Sequence, residues 1–226
     1  MHELLELDRQ ITLFINGSHS LMWDYVVYTA TQTLTWIPVG LILLYIVYRQ
    51  GGMRCLLMVL GMILLGILIS DQLSSSIVKP LVKRFRPTQD PQIMYLVDVV
   101  NNYRGGRYGF FSAHASNTFT VALFLTLLFR HRMAGFLLVS WSLLNSYTRV
   151  YLGVHYFGDV VVGTLVGAVV GWGLYRFFVC RMPDYKPCDS REGFTSSGFT
   201  QKSMYALSAC ILLNYCVLFI ISSFCP

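Results

Sequence analysis

The strongest constraint on this chain is a set of long apolar stretches. Residues 56–69 contain no charged side chain, and in residues 160–179 the single charged side chain is Arg176. As helices, such segments cross a hydrocarbon core of about 30 Å with every backbone polar group bonded internally. The alternative, a buried helix of a soluble protein, does not suit several such stretches in one small chain. We therefore predict a membrane protein.

The composition narrows the class of partner. Of the 226 residues, 55% are hydrophobic and 12% are charged, which is too apolar for an ordinary soluble domain. The net charge is +6, but the basic residues lie in short loops between apolar segments and not along one soluble face. The expected partners are therefore the bilayer and an anionic lipid, and not nucleic acid. The oligomeric state stays open.

The cysteines and other candidate ligands show no metal-binding spacing, so we expect neither a metal ion nor another cofactor. No disulfide is predicted, although a pairing of Cys180 with Cys188 is left open.

The predicted architecture is all-α: one domain, residues 1–226, forming a polytopic bundle of about six transmembrane helices. An N-terminal amphipathic helix precedes the bundle and is expected to lie in the membrane interface, with Leu4, Leu7, Ile11 and Phe14 on one face. Residues 21–32 are ambiguous, because Asp24 weakens them as a lipid-facing helix. The predicted spans are residues 33–49, 53–79, 112–129, 132–148, 157–180 and 203–224.

Three polar clusters occur where the predicted spans end. The clusters are Lys79-x6-Arg86-Pro87, Ser112-Ala113-His114 and Thr148-Arg149-x5-His155-x3-Asp159. The second span ends at the first cluster, the third begins at the second, and the fourth ends at the third. All three are therefore predicted to meet at one membrane face.

The opposite face collects an excess of basic residues, which by the positive-inside rule makes it cytoplasmic. The clusters are then expected to face the periplasm or the cell exterior, in a multi-pass protein of the cytoplasmic (inner) membrane. The basic residues on the opposite face are Arg49, Arg54, Arg130, Arg132, Arg176, Arg181, Lys186, Arg191 and Lys202.

The cations of the clusters suit phosphate chemistry. A phosphoryl group in transfer spreads negative charge over its oxygens, so a site without metal needs several fixed cations. Lys79, Arg86 and Arg149 meet that need, since an arginine fork can hold two phosphate oxygens at once. Taken alone, Lys79 and Arg86 are also consistent with ordinary basic residues beside a membrane helix that contact lipid headgroups.

The histidines add reactive groups to these cations. Asp159 follows His155 by four residues, so its carboxylate is expected to accept the Nδ1 proton and leave Nε2 free to attack phosphorus. His114 is the candidate general acid. A surface or capping pair is the simpler interpretation of His155 and Asp159 taken alone. We further expect His155 to be exposed, so that His155→Ala abolishes turnover and leaves the fold intact.

Ser112 is predicted to begin the third span, where its hydroxyl and the free backbone N–H groups bind a phosphate oxygen. A plain helix cap is the alternative, and the two roles are compatible.

Together these clusters resemble the three-part signature of the type 2 phosphatidic acid phosphatase (PAP2) superfamily over roughly residues 70–180. The resemblance implies a metal-independent phosphatase in which Lys79, Arg86, Ser112 and Arg149 bind phosphate, His114 is the acid, His155 the nucleophile and Asp159 its partner. The family usually has Pro-Ser-Gly-His in the second cluster. Here Ala113 replaces the glycine and is still able to offer its backbone N–H to phosphate.

The function predicted from the sequence is removal of phosphate from a membrane lipid through a phosphohistidine. The candidate substrates are undecaprenyl diphosphate, ranked first from the resemblance, and phosphatidylglycerophosphate, phosphatidate and lipid A. A lipid phosphotransferase with the same intermediate is one alternative. A membrane protein that binds or transports an anion without chemistry is the other.

Overall fold

The computed structural model describes residues 2–17, 20–185 and 192–223 of the chain. Within these ranges the chain is helical, with loops and two isolated β-bridges but no strand, which confirms the predicted all-α class. The helices are α1 (His2–Ile15), α2 (Leu21–Ala30), α3 (Ile37–Gln72), α4 (Lys79–Val82), α5 (Ala113–Phe129), α6 (Arg132–Tyr151), α7 (Phe157–Arg181) and α8 (Gln201–Ser223).

Helix α3 consists of two segments separated at Gly52, whose φ of 70° and ψ of −177° are not helical. An unbroken helix of its 36 residues would be about 54 Å long, far longer than a hydrocarbon core of about 30 Å. Gly40 and Ile63, one from each segment, line the same apolar cavity, so the second segment folds back beside the first. The break agrees with the predicted boundary between spans 33–49 and 53–79.

The membrane-protein character is evident in the helices. Within the described residues, three helical stretches are long and apolar enough to cross a bilayer, namely Thr33–Val82, Phe157–Arg181 and Gln201–Ser223. Large apolar side chains on these and neighbouring helices face outward; Leu64 is 66% exposed and Phe136 is 72% exposed. Exposure of this kind suits contact with lipid. The total of six spans stays a prediction.

Helix α5 is the centre of the bundle and packs against α6 and α7. Its contact with α7 is close because three glycines of α7 face the α5 backbone. A Cβ at Gly163, Gly167 or Gly171 would lie 2.5, 2.4 or 2.7 Å from a backbone oxygen of α5 or its cap. Small residues spaced by four let two helix backbones approach in this way. The contact places the first turns of α5 and α7 side by side.

Two short helices lie near the cluster end of the bundle. Helix α2 has 10 residues, about 15 Å, and is too short to cross a bilayer, which settles the ambiguous segment 21–32 as a short helix. Helix α1 exposes Leu4, Leu7 and Phe14 by 74%, 55% and 89%, as its apolar face requires. Its placement in the membrane interface stays a prediction. Cys188, of the open cysteine pairing, lies outside the described residues.

Candidate active site

The turn between α6 and α7 carries His155. The backbone N–H groups of Val154 and His155 both donate to the carbonyl oxygen of Arg149, each at 3.2 Å. Gly153 makes the reversal of the chain possible with a φ of 65°, a backbone angle that residues with a side chain rarely adopt. The spacing of five residues between Arg149 and His155 therefore closes a tight turn. His155 is 3% exposed, so the expectation that it is an exposed side chain was wrong.

The two ring nitrogens of His155 have different partners. Nε2 lies 3.1 Å from Nη1 of Arg86, and Nδ1 lies 3.5 Å from Oδ2 of Asp159. Because a guanidinium only donates, Nε2 must accept with its lone pair, and the proton of the neutral ring belongs on Nδ1. The contact with Arg86 thus selects the tautomer in which Nε2 is unprotonated and Nδ1–H faces Asp159.

The contact between His155 and Asp159 is looser than the sequence led us to expect. At 3.5 Å it has no hydrogen-bond geometry, and Nδ1 is without another partner. The reason is that His155 precedes α7 and does not share a helix with Asp159. The carboxylate caps the first turn of α7, where Oδ2 accepts from the backbone N–H of Tyr156 at 3.1 Å.

Arg86 is held in place by the loop between α4 and α5. The two arms of this loop pair through an antiparallel bridge between Phe85 and Tyr108. The Arg86 side chain donates from Nε to the carbonyl of Tyr108 at 3.2 Å and from Nη1 to the carbonyl of Val154 at 2.9 Å. The first cluster is thereby tied to the turn that carries His155.

Gly109, which sequence reasoning missed, lies against the contact between His155 and Asp159. A Cβ at this position would be 2.9 Å from Oδ2 of Asp159, 3.2 Å from Cγ of Arg86 and 3.5 Å from Nδ1 of His155. The loop therefore approaches the pair closely because residue 109 has no side chain. The abundance of glycine in residues 105–109 was the only signal in the sequence.

Arg149 is 7% exposed and has two neighbours from distant parts of the chain. It donates to the hydroxyl of Thr31 at 2.8 Å and to the hydroxyl of Tyr103 at 2.9 Å. Thr31 follows α2, so the short helix serves to place a side chain at the site. No motif in the sequence marked Thr31.

Lys79 belongs to a helical extension of α3. Residues Leu73–Val78 form a π-helix that runs directly into α4, and such segments are frequent at functional sites. The ammonium of Lys79 lies 3.5 Å from the hydroxyl of Ser75, which lies 3.5 Å from Oδ1 of Asp71. These three side chains form a row along one face of the extension.

The second cluster begins α5 as expected. Ser112 is the N-cap, and its hydroxyl accepts from the backbone N–H of Ala115 at 3.3 Å. Ala113 is the first residue of the helix and has ordinary helical backbone, so glycine is not required there. Nε2 of His114 lies 3.4 Å from Oδ1 of Asn145, a partner on α6 that the sequence did not indicate.

The pKa shifts of the site residues reflect the convergence of the three clusters, because charges from each cluster act on His155. Burial lowers the pKa of His155 well below 6.5, and the charges of Arg86, Arg149, Lys79 and His114 lower it further. His155 is therefore neutral at pH 7. Burial also lowers the pKa of Arg86, with Arg149 adding to the effect. Within the described residues, no group of three or more His, Cys, Asp or Glu side chains is placed to hold a metal ion.

Comparison with known proteins identifies the family and relatives of this chain. Residues 58–183 match the model of the PAP2 superfamily. The chain is 42% identical over 173 residues to a lipid A 4'-phosphatase of Bacteroides thetaiotaomicron, covering 76% of this chain and 77% of the relative. It is 35% identical over 179 residues to a lipid A 4'-phosphatase of Porphyromonas gingivalis, covering 79% and 76%.

A third relative is the undecaprenyl-diphosphatase BcrC of Bacillus subtilis, 35% identical over 60 residues, which cover 26% of this chain and 31% of the relative. No solved structure matches the chain. The family model and the relatives confirm the resemblance drawn from the three clusters and the predicted class of enzyme, a lipid phosphatase. The chain belongs to the PAP2 superfamily.

Proposed function

We propose that the protein removes a phosphate group from lipid A, the 4'-phosphate in particular. Two relatives with that named activity each align over more than three quarters of this chain. The relative named for undecaprenyl diphosphate aligns over 26% of it. This difference moves lipid A ahead of undecaprenyl diphosphate, which the sequence alone ranked first. Phosphatidylglycerophosphate and phosphatidate remain as candidates to be tested beside them.

The observation that carries the proposal is the arrangement around His155. Its Nε2 is unprotonated and accepts from Arg86, a contact that the guanidinium exchanges for a phosphoryl oxygen when substrate binds. Its Nδ1–H faces Asp159, and its depressed pKa keeps it neutral. A neutral, oriented imidazole is what a nucleophile requires and what simple binding of an anion does not. This favours chemistry over the alternative of an anion-binding or transport protein.

The proposed reaction has two steps. His114 first takes up a proton as the anionic phosphate binds beside it. Nε2 of His155 then attacks phosphorus while the bond from phosphorus to the lipid oxygen breaks, and His114 donates that proton to the departing oxygen. A water molecule then attacks the phosphohistidine, gives its proton to His114, and releases inorganic phosphate. Asp159 faces the Nδ1 side of His155, where its charge stabilises the positive ring of the intermediate.

The charge of the phosphoryl group is met by Lys79, Arg86 and Arg149. Arg86 already donates toward Nε2 of His155, so a phosphoryl oxygen bound at Nε2 comes within reach of the same guanidinium. Ser112 and the backbone N–H of Ala113 add the N-terminus of α5, a favourable place for an anion.

The site is proposed to open on the outer face of the cytoplasmic membrane, in the periplasm or at the cell exterior. Support comes from the excess of basic residues near the other ends of the helices, such as Arg130 and Arg132 between α5 and α6. A lipid with its phosphate in the headgroup reaches such a site laterally from the outer leaflet.

The test is phosphate release by the detergent-purified protein, in EDTA, from lipid A, undecaprenyl diphosphate, phosphatidylglycerophosphate and phosphatidate. The negative variant is His155→Gln, which keeps more of the buried volume than alanine does. The matched control is His131→Asn. His131 caps the end of α6 opposite to Arg149, and asparagine also caps well there.

Release from lipid A that persists in His131→Asn and disappears in His155→Gln supports the proposal. Faster release of phosphate from another of the four lipids would identify that lipid, and not lipid A, as the preferred substrate. Loss of phosphate from lipid A without free phosphate, but with a newly phosphorylated acceptor lipid, would show phosphotransfer. Activity that EDTA abolishes and a divalent metal restores would contradict the metal-free mechanism.

A further inference from the structure

The partner carboxylate of His155 is itself held by Arg84, which lies between Lys79 and Arg86 and is not one of the residues that define the first cluster. Asp159 is fully buried. Its Oδ1 accepts from Nη1 of Arg84 at 2.8 Å, whereas Oδ2 is directed to Tyr156 and to Nδ1 of His155. Arg84 therefore fixes the rotation of the carboxylate and determines which oxygen faces His155.

Arg84 is in turn held by the N-terminal helix. Its Nη2 donates to Oδ2 of Asp8 at 2.5 Å, and the guanidinium lies 4.1 Å from the centre of the Tyr156 ring. The planar fork of arginine reaches two carboxylates and an aromatic face at once, which a lysine ammonium does not. Asp8 of α1 and Asp159 of α7 are thus joined through one guanidinium.

Helix α1 also binds the start of α7 directly. The other oxygen of Asp8, Oδ1, accepts from the backbone N–H of Gly158 at 2.7 Å. The hydroxyl of Thr12, one turn further along α1, accepts from the backbone N–H of Phe157 at 3.0 Å. Two N–H groups that a helix leaves unsatisfied at its first turn are therefore satisfied by α1. Thr12 is fully buried in this contact.

The charges of the group matter for the reaction. Two carboxylates share one guanidinium, so the group Asp8, Arg84 and Asp159 keeps one negative charge beside His155. Without Asp8, Arg84 would neutralise Asp159 alone. The His155 ring becomes positive as its Nε2 bonds to phosphorus, and the remaining negative charge opposes the surrounding cations Arg86, Arg149 and Lys79.

We infer that Arg84 and Asp8 are positioning residues of the phosphatase, acting on His155 through Asp159, and that α1 is thereby a working part of the active site. This inference rests on the proposed function. Neither residue touches the phosphoryl group in the proposed reaction. Their loss should therefore slow the chemical step and leave substrate binding nearly unchanged.

The experiment compares kcat and KM for lipid A in wild-type protein, Asp8→Asn, Arg84→Gln and Arg84→Lys. Glu6→Gln is the matched control, because Glu6 is on α1 and pairs with Arg9 at 3.6 Å, away from Asp159. Inhibition by inorganic phosphate measures whether the cationic pocket is intact. Thermal unfolding in detergent checks the fold of each variant.

We expect Asp8→Asn and Arg84→Gln to lower kcat by on the order of 10-fold to 100-fold, by analogy with the loss of an outer carboxylate partner of a metal-binding histidine. Arg84→Lys should recover part of the loss. KM and the inhibition constant of phosphate should change by less than about twofold, since the phosphate-binding cations are untouched. Glu6→Gln should match the wild type.

A wild-type kcat in Asp8→Asn and in both Arg84 variants would overturn this inference without contradicting the proposed phosphatase activity. A loss confined to KM, or an equal loss in Glu6→Gln, would also overturn it, by showing substrate contact or a general effect of α1. If Arg84→Gln fails to fold, the kcat values of Asp8→Asn and Arg84→Lys test the inference in its place. Absence of release by the wild type would overturn the proposed function itself, and this inference with it.

Discussion

The backbone N–H of Ser112 donates to the carbonyl oxygen of Asp159 at 3.0 Å. This hydrogen bond joins the first residue before α5 to the first turn of α7, two points 47 positions apart in the chain. It places the candidate phosphate-binding helix start beside the partner of the candidate nucleophile. The relative position of the two therefore depends on how closely α5 and α7 pack.

Gly163→Ala should disturb that packing. The added Cβ would lie 2.5 Å from the carbonyl oxygen of Ser112, so the start of α5 has to shift. We expect lower phosphatase activity and a thermal midpoint lower by several degrees, because overpacking of this kind costs about 1–3 kcal/mol. Gly173→Ala on the same helix, with nothing within 4 Å, is the control and should unfold at or above the wild-type midpoint. Equal behaviour of the two variants would contradict the argument.

Gly109→Ala should impair the reaction more than the fold. Its Cβ would press on Oδ2 of Asp159 and on Arg86, the two neighbours that orient His155. A displacement of about 1 Å at such a site can cost on the order of 100-fold in rate. Gly106→Ala, where a Cβ meets nothing within 4 Å, is the control in the same loop. The measurement is steady-state phosphate release. Wild-type turnover by Gly109→Ala would show that the loop shifts to accommodate the methyl group without displacing Asp159 or Arg86.

Tyr103→Phe should weaken substrate binding. The variant removes the hydroxyl that accepts from Nη2 of Arg149 at 2.9 Å and keeps the ring. Because a hydrogen bond to a charged group contributes about 1.5–3 kcal/mol, a less firmly held Arg149 should raise KM roughly tenfold. Tyr108→Phe is the matched control, since Arg86 uses the backbone carbonyl of Tyr108 and not its hydroxyl. An unchanged KM in Tyr103→Phe would show that this hydroxyl is not needed to hold Arg149 for substrate binding.

The depressed pKa of His155 predicts its behaviour in acid. Burial and then Arg86, Arg149, Lys79 and His114 hold the folded-state pKa well below 6.5. His155 should thus stay neutral throughout the neutral range and gain a proton only in more acidic solution. A group with a depressed folded pKa binds its proton more readily in the unfolded chain, so the contribution of His155 to stability should decline as pH falls below about 6.5.

NMR titration of carbon-labelled histidine in detergent measures this directly, with His155→Gln to assign the signal. Thermal unfolding over the same pH range measures the linked stability, and the variant should lose part of the dependence on pH below about 6.5. A His155 signal that titrates above 6.5 would contradict the electrostatic description of the site.

The helical class, the break before residue 53 and the convergence of the three clusters were predictable from the sequence. Each depends on local information. Apolar stretches must be helical in a bilayer, and the order in which helices end and begin decides which side a loop occupies. The residue types at Lys79, Arg86, Arg149 and His155 further indicate phosphate chemistry whatever the detailed geometry.

Other features of the site depend on contacts between distant parts of the chain. The burial of His155, its tautomer, and the roles of Asp8, Thr31 and Gly109 belong to this group. The spacing of four residues wrongly suggested a hydrogen bond between His155 and Asp159 across one helical turn, whereas α7 begins between them, at Phe157, and the two groups lie 3.5 Å apart.

The sequence by itself therefore determined the membrane fold and the reactive groups, because hydrophobicity and side-chain chemistry are properties of single residues and short segments. The tertiary structure alone decided which nitrogen of His155 is unprotonated and which residues hold Asp159. Those properties depend on distances of about 3 Å between side chains brought together from α1, the loop before α5, the turn before α7 and the start of α7. Hydrogen-bond direction and burial act over such distances and leave no pattern in the linear chain.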